Sequence, residues 1–281
     1  MHKKISKFCE PIYCCDEDLL YNASKILNKK LPKHMHCVPL STNSPKITPS
    51  TLTRESGYYS YLSFLKAIEL TKEKSTKALI TLPIHKKAWQ LANIPYAGHT
   101  EALRDIFKQN AIMVLGSPKL YVALFSDHIP LKEVPQKITF ESLCDFLIKL
   151  APHIKKIPCG VLGLNPHAGD FGVLGDEEEH IQKAIDFANK SLKKEIFIGP
   201  IIPDTAFIHK HLRYYVAMYH DQGLIPLKTL YFEESINISL NLPIIRVSVD
   251  HGTAFDIAYQ NKANTKSYKN AIKEAILRVK S

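Results

Sequence analysis

The chain has 281 residues, 45% of them hydrophobic and 23% charged. These proportions exclude collagen-like, low-complexity and wholly disordered proteins, and the length suits one large core or two moderate ones. The formal net charge is +10, but the lysines are scattered, often as pairs, and form no long basic run. We therefore expect no nucleic-acid partner and interpret most of the charge as solvated surface.

Membrane insertion and disulfide formation are not expected either. No stretch approaches the roughly 18 apolar residues of a spanning helix, and residues 1–10 lack the apolar core of a signal peptide. The sequence thus predicts a cytoplasmic protein without a membrane partner. The six cysteines show no C-x-x-C spacing and are expected to be free thiols. His34-Met35-His36-Cys37 could hold a metal, although such a cluster beside prolines is more often surface.

In chain order, the segment 31–53 is rich in Pro, Ser, Thr and Lys and is the most loop-like part. From Tyr58 onward, short apolar runs alternate with amphipathic helical patterns, which is typical of an α/β protein with a largely parallel sheet. A helix is predicted just after Gly98, with Thr100 as its cap. Another begins near Asp176, where the acidic first turn suits the helix dipole. A closing helix follows Thr265 or Ser267.

Five of the apolar runs that predict buried strands finish at a histidine. In open α/β sheets the ligand crevice lies beyond the carboxyl ends of the strands, so these imidazoles stand where a site would be built. Three neutral imidazoles on one divalent metal would leave an open position for substrate. The runs are Ala78–Ile84 before His85, Leu120–Phe125 before His128, Gly160–Leu164 before His167, Tyr214–Tyr219 before His220, and Ile244–Val249 before His251.

Anion-binding side chains accompany these histidines. Lys228 lies eight residues after His220, Asn237 falls in an apparent strand, and Arg246 interrupts an apolar run. A charge inside a buried strand is costly unless it is paired. A structural ion pair and a phosphate or carboxylate ligand are equally good explanations of Arg246.

Several common catalytic fingerprints are missing from the sequence. There is no G-x-G-x-x-G after a strand, no G-x-x-x-x-G-K-[ST] and no G-x-S-x-G elbow. Any dinucleotide must therefore bind outside a Rossmann turn, and phosphoryl transfer from ATP has no support.

Five short phrases follow one another along the chain, and together they resemble the 4-hydroxythreonine-4-phosphate dehydrogenase family of pyridoxal phosphate biosynthesis. The resemblance runs from about Ser56 to the C-terminus. The phrases are Gly98-His-Thr-Glu101, Leu164-Asn-Pro-His-Ala-Gly-Asp170, Gly199-Pro200 with Pro203-Asp-Thr-Ala-Phe207, Tyr219-His-Asp-Gln-Gly223, and Val249-Asp-His-Gly-Thr-Ala254.

The resemblance implies an α/β fold of the isocitrate/isopropylmalate dehydrogenase-like type, with two α/β/α domains and a cleft between them. It also implies a homodimer with active sites at the subunit interface. We expect residues 1–95 and 243–281 to form the first domain, without the family's opening strand, and residues 96–242 to form the second, which would carry the metal and substrate ligands.

The same resemblance implies the site residues. A divalent metal (Zn, Mg or Co) would be held by His128, His167 and His220. The substrate contacts would be His99, Thr100, Lys228, Asn237 and Arg246. The loop for NAD or NADP would contain His251, Gly252, Thr253, Ala254 and Asp256.

The implied reaction is NAD-dependent oxidation of the small phosphorylated amino acid 4-phosphohydroxy-L-threonine to a β-keto acid. This product decarboxylates to 3-amino-2-oxopropyl phosphate. Asp221 and Asp250, each next to a strand-end histidine, are the candidates for the group that takes the hydroxyl proton.

The chain departs from the family pattern in two places, which leaves two alternatives open. It has no counterpart to the Gly-Asp-x-x-Gly-Ile-Gly-Pro-Glu phrase near the start, and Tyr259-Gln-Asn-Lys262 stands where small residues are usual in the nucleotide loop. The first alternative is an inactive or impaired relative that binds phosphate ligands without turnover. The second is a histidine-liganded metal hydrolase that needs no dinucleotide.

Overall fold

The computed structural model describes residues 1–40, 42–155, 158–208 and 211–280. Across these ranges, no helix combines the length and the apolar character needed to cross a membrane. The chain divides into two compact units, one formed by residues 1–109 with 242–281 and the other by residues 110–241. We call them unit 1 and unit 2.

Strands and helices alternate through most of the chain, as the sequence predicts for an α/β protein. In chain order the strands are β1 (Ile12–Cys14), β2 (His36–Val38), β3 (Leu79–Thr81), β4 (Ile112–Ser117), β5 (Leu120–Leu124), β6 (Cys159–Leu162), β7 (Phe197–Ile201), β8 (Tyr214–Ala217), β9 (Ile236–Leu240) and β10 (Arg246–Val249). The helices are α1 (His2–Ile5), α2 (Glu17–Ile26), α3 (Arg54–Lys72), α4 (Lys86–Leu91), α5 (His99–Phe107), α6 (Val134–Lys137), α7 (Phe140–Leu150), α8 (Glu177–Leu192), α9 (His220–Tyr231) and α10 (Lys266–Val279).

Unit 2 is built on a sheet with the strand order β9-β4-β5-β8-β6-β7. The pairs β9/β4 and β4/β5 are antiparallel, whereas β5/β8, β8/β6 and β6/β7 are parallel. All residues of β4, β5, β6 and β8 are buried. This burial explains why these strands read as continuous apolar runs in the sequence.

Unit 1 contains two separate parallel strand pairs. β1 pairs with β2 through Tyr13 and Cys37, and β3 pairs with β10 through Ile80 and Val247. A cluster of buried side chains packs around these elements: Phe64, Ile68, Leu79, Trp89, Ile94, Ala102, Leu103 and Ile244. A cavity of about 1420 Å³ lies beside β1 and β3 and is also lined by residues of α3 and α10.

The unit boundaries differ from the predicted ones. The chain passes from unit 1 to unit 2 after Gln109, whereas the sequence predicted this change after Pro95. It returns to unit 1 at Leu242, one residue before the predicted position 243. The first boundary differs because α5 lies in unit 1 and not in unit 2. Its residues Ala102 and Leu103 are fully buried in the apolar cluster of unit 1. The helix therefore belongs to unit 1, together with His99 and Thr100.

One local expectation was wrong, and another holds with one exception. The described residues of the loop-like segment 31–53 are irregular as predicted, except for β2, whose pairing with β1 places His36 and Cys37 in a strand. Thr100 is not the cap of α5, because the helix begins at His99 and Gly98 is its N-cap. Neither miss changes the fold class.

Candidate active site

Three predicted metal ligands lie at one edge of the unit 2 sheet. β5, β8 and β6 are adjacent and parallel, so their carboxyl ends meet at the same edge. His128 follows β5, His220 follows β8 as the first residue of α9, and His167 follows β6. The topology thus brings together the histidines of distant sequence segments.

His128 and His220 are the closest pair of this set. Their ring centroids are 5.6 Å apart. Two imidazoles on one tetrahedral ion have centroids about 5 Å apart, so this pair nearly matches the spacing that a shared metal requires. The Nδ1 atom of His220 lies 2.7 Å from Oδ1 of Asp221. A carboxylate on Nδ1 orients a histidine and leaves Nε2 as the atom for a ligand.

His167 lies in an unusual turn that follows β6. From His167 to Phe171 five successive residues have φ between 43° and 80°, and four of them are not glycine. This left-handed backbone is costly for residues with a β-carbon. Within the described ranges, no group of three His, Cys, Asp or Glu side chains is close enough to hold a metal ion. Of the three predicted ligands, His128 and His220 therefore have neighbouring rings, and His167 is exposed.

Gln222, in the phrase Tyr219-His-Asp-Gln-Gly223, is a site residue that the sequence did not single out. Its Oε1 accepts from the backbone N–H of Met218 at 2.7 Å, and its Nε2 donates to the carbonyl oxygen of Gly163 at 2.7 Å. The side chain thus joins the end of β8 to the end of β6. The sequence signal for Gln222 was its position between His220 and Gly223, a glycine that packs closely against the sheet.

Gly223 explains why α9 can start so close to the sheet. A β-carbon at this position would lie 2.4 Å from Cγ1 of Val122 and 2.9 Å from Cβ of Ala217. Any larger residue would push α9, and with it His220, away from β5 and β8.

Two predicted substrate residues belong to unit 2. Lys228 is on α9, where its Nζ donates to Oγ of Ser235 at 3.3 Å and lies 5.4 Å from the ring centroid of Phe232. Asn237 is half-buried on β9, opposite Leu115 of β4. The predicted strand at Asn237 is confirmed.

The other predicted substrate residues, His99, Thr100 and Arg246, belong to unit 1. The ring of His99 packs against Phe64 and Trp89, with centroid distances of 4.6 and 5.4 Å. This burial, together with the positive charge of Arg246, lowers the pKa of His99 to about 3. His99 is therefore a neutral imidazole at physiological pH and can both donate and accept a hydrogen bond.

Arg246 begins β10 and is only 3% exposed. Its Nη2 donates to Oγ1 of Thr81 at 2.8 Å. Burial lowers the pKa of Arg246 to about 10, so the side chain still carries its charge near neutral pH. A buried guanidinium is a strong and geometrically specific group for a phosphate or carboxylate.

The predicted nucleotide loop follows β10 in unit 1. His251 and Gly252 are exposed, and Nδ1 of His251 lies 2.9 Å from the carbonyl oxygen of Gly252. Thr253 and Ala254 lead into a short 3₁₀ turn that contains Asp256. Further along, Tyr259 and Asn261 have φ of 59° and 60°, which is the backbone conformation that favours glycine.

Asp250, the second candidate for the proton acceptor, lies at the end of β10 in unit 1, and its backbone N–H donates to Oγ of Ser267 at 3.2 Å. Asp221 belongs to unit 2 and is engaged by His220. The two candidates therefore have different surroundings, and the carboxylate of Asp221 contacts His220, a predicted metal ligand.

The α/β fold and a histidine-lined edge of parallel strands define a protein of the α/β enzyme class. A family model described as pyridoxal phosphate biosynthetic protein PdxA matches residues 7–275. The chain belongs to this family.

Individual relatives agree with this assignment. A 4-hydroxythreonine-4-phosphate dehydrogenase of Sulfurimonas denitrificans is 52% identical over 278 residues, covering 98% of this chain and 90% of the relative. One of Campylobacter fetus is 49% identical and covers 98% and 91%. Among solved structures, the 4-hydroxythreonine-4-phosphate dehydrogenase of Klebsiella pneumoniae has a TM-score of 0.81 at 31% identity, covering 96% of this chain and 88% of that one. These matches do not favour an inactive relative or a hydrolase.

The three predicted ligands His128, His167 and His220 have side chains that suit a divalent metal. The distance between the rings of His128 and His220 also suits a shared ion. Imidazole suits Zn²⁺ and Co²⁺, and three neutral ligands leave the ion its full charge. His128 and His220 already stand at a suitable separation, and Asp221 fixes the orientation of His220.

Proposed function

We propose that this protein oxidises 4-phosphohydroxy-L-threonine with NAD or NADP and releases 3-amino-2-oxopropyl phosphate after decarboxylation. The observation that carries this proposal is the row β5-β8-β6, whose carboxyl ends bear His128, His220 and His167 in a chain of the PdxA family. When bound, the metal polarises the substrate oxygen and the nicotinamide accepts the hydride.

The histidines have distinct tasks in this proposal. His128, His167 and His220 hold the metal, and Asp221 keeps Nε2 of His220 available by occupying the side of Nδ1. Because Asp221 has this orienting task, Asp250 is left as the candidate for the group that takes the hydroxyl proton. Gln222 keeps the ends of β8 and β6 at a fixed separation.

The substrate residues supply charge and hydrogen bonds. Lys228 and Arg246 bind anionic groups of the substrate, and Asn237, Thr100 and neutral His99 add hydrogen bonds. The loop with His251, Gly252, Thr253, Ala254 and Asp256 binds the nucleotide. The low pKa of His99 supports this role, since an uncharged ring can bind the substrate hydroxyl without a proton change.

A homodimer is the assembly that we propose. Several large apolar side chains of unit 2 are exposed, including Phe171, Val173, Ile208, Ile225 and Phe232. These side chains support the proposal if they form one contiguous patch, because such patches are typical of oligomer interfaces. Analytical ultracentrifugation tests it: a monomer at micromolar concentration would refute the dimer.

The reaction is tested by following NADH at 340 nm with 4-phosphohydroxy-L-threonine and added Zn²⁺, Mg²⁺ or Co²⁺. We expect substrate-dependent NADH formation that a chelator abolishes. A folded protein that forms no NADH with any of the metals would refute the proposed function. Release of inorganic phosphate instead would indicate the hydrolase.

A further inference from the structure

Glu178 is an acidic residue in the first turn of α8 that the helix dipole does not explain. Its neighbour Glu179 is exposed and pairs with Lys183 at 3.1 Å. Glu178 itself is only 8% exposed. A carboxylate is seldom buried unless hydrogen-bond donors or a positive charge lie next to it. The buried carboxylate of Glu178 must therefore have such partners.

The carboxylate of Glu178 binds the chain just before His167. Oε1 accepts from the backbone N–H of Leu164 at 2.8 Å and of Asn165 at 2.7 Å. Oε2 accepts from Nδ2 of Asn165 at 2.9 Å. Three hydrogen bonds thus fix the segment that links β6 to His167.

The same carboxylate also borders the chain just after His167. Gly169 has a φ of +80°, and a β-carbon there would lie 2.8 Å from Oε2 of Glu178. The backbone of Gly169 can approach the carboxylate only because it has no side chain. Glu178 therefore binds the chain before His167 and lies beside the backbone that follows it.

We infer that Glu178 is a positioning residue that holds the turn 164–169 and thereby presents His167 to the metal. It acts through the backbone and does not contact the ion. This inference rests on the metal ligands of the proposed function, and it adds a residue that lies outside the five family phrases.

The test compares Glu178→Gln with the matched control Glu179→Gln. An amide at position 178 replaces one acceptor oxygen with a donor that faces other donors, whereas the control changes only an exposed ion pair. Co²⁺ is titrated into each protein and followed by its visible d–d absorption. We expect Glu178→Gln to bind Co²⁺ about 10- to 100-fold more weakly, and the control to bind like the wild type.

Two further readouts separate positioning from general destabilisation. Hydrogen exchange at the Leu164 and Asn165 amides becomes faster in Glu178→Gln, because a neutral amide oxygen is a weaker acceptor for these N–H groups than a carboxylate oxygen. Turnover of the variant recovers at saturating Co²⁺, which a globally damaged fold would not allow. Unchanged Co²⁺ affinity, or unchanged exchange at both amides, overturns the inference.

If Glu178→Gln does not fold, Gly169→Ala tests the same contact from the other side. Its added methyl group displaces the turn from Oε2, and weaker Co²⁺ binding is again expected. Wild-type affinity in this variant overturns the inference. Wild-type protein that binds Co²⁺ without forming NADH refutes the proposed reaction and not the role of Glu178, whereas failure to bind Co²⁺ at all refutes both.

Discussion

The inner strands of unit 2 and the short strand pair β1/β2 of unit 1 differ in how completely they are packed. In unit 2, β4, β5, β6 and β8 are buried along their whole length. In unit 1, β1 and β2 have three residues each, none of them fully buried, and a cavity of about 1420 Å³ lies beside β1 and β3. The three predicted metal ligands thus follow strands of the buried sheet in unit 2, whereas His99 lines the cavity of unit 1.

The largest expected effect comes from the strand-end histidines of the two units. His167→Ala should lower metal-dependent turnover by more than about 100-fold, because it removes a proposed ligand. Loss of a residue that only hydrogen-bonds to a ligand typically costs about 10- to 100-fold. His85→Ala should keep its turnover and lose about 1 kcal/mol of stability. The reason is that His85 caps α4, where its Nδ1 accepts from the N–H of Lys87. Initial rates measure the turnover of both variants, and urea unfolding measures their stability. Equal losses of turnover would contradict the assignment of His167, and not His85, as a metal ligand.

Arg246 comes next, because unit 1 is expected to contribute charge to substrate binding. Arg246→Met retains much of the side-chain volume and removes the charge. We expect kcat/KM to fall by about 10- to 150-fold, mostly through KM, which corresponds to the roughly 1.5–3 kcal/mol of a charged hydrogen bond. Arg54→Met, at an exposed position of the same unit, is the control. A stability loss with unchanged KM would indicate a structural cation instead.

A smaller effect is the difference between the stability losses of two matched truncations, one in each unit. Leu115→Ala in β4 and Leu79→Ala in β3 remove the same atoms from side chains that are 3% and 4% exposed. Both should destabilise within the range of about 2–5 kcal/mol, with Leu115→Ala near the upper end. Leu79 already borders the cavity and has fewer atoms to lose contact with. Urea unfolding measures the difference, and an equal cost would argue against looser packing in unit 1.

The last prediction concerns the dependence of stability on pH. Because the pKa of His99 is about 3 in the folded state and near 6.5 when unfolded, the unfolded state binds more protons between these values. Stability should therefore fall as pH falls from about 6.5 towards 3, with a contribution of at most about 1.4 kcal/mol per pH unit. His99→Gln should show a shallower slope over this window. Identical slopes in urea titrations would mean that His99 is protonated in the folded protein.

The sequence predicted those parts of the fold that rest on long apolar runs. The five histidine-ending strands are confirmed because buried parallel strands need continuous apolar residues. β1 and β2 were missed because three residues such as Ile12-Tyr-Cys14 carry no periodic signal. The boundary near α5 was misjudged because burial of Ala102 and Leu103 in unit 1 depends on packing that no local pattern records.

The candidate site was predictable as a set of residue types and only partly as an arrangement. The strand pattern indicated five histidines, from which the family resemblance selected His128, His167 and His220, but neither could show that β8 lies between β5 and β6. Gln222 and Glu178 were missed because their partners lie 59 and 13 or 14 residues away. Glu178 was also hidden in an acidic run that the helix dipole seemed to account for.

The order β5-β8-β6 has a consequence for how the protein is made. β8 follows both of its neighbours in the chain but lies between them in the sheet. During synthesis, β5 and β6 therefore have no shared hydrogen-bonded edge until β8 emerges and inserts. Contacts between distant segments form slowly, since the intervening chain must first be ordered. The spacing of the histidines that follow these three strands is accordingly fixed late, once β8 has joined the sheet.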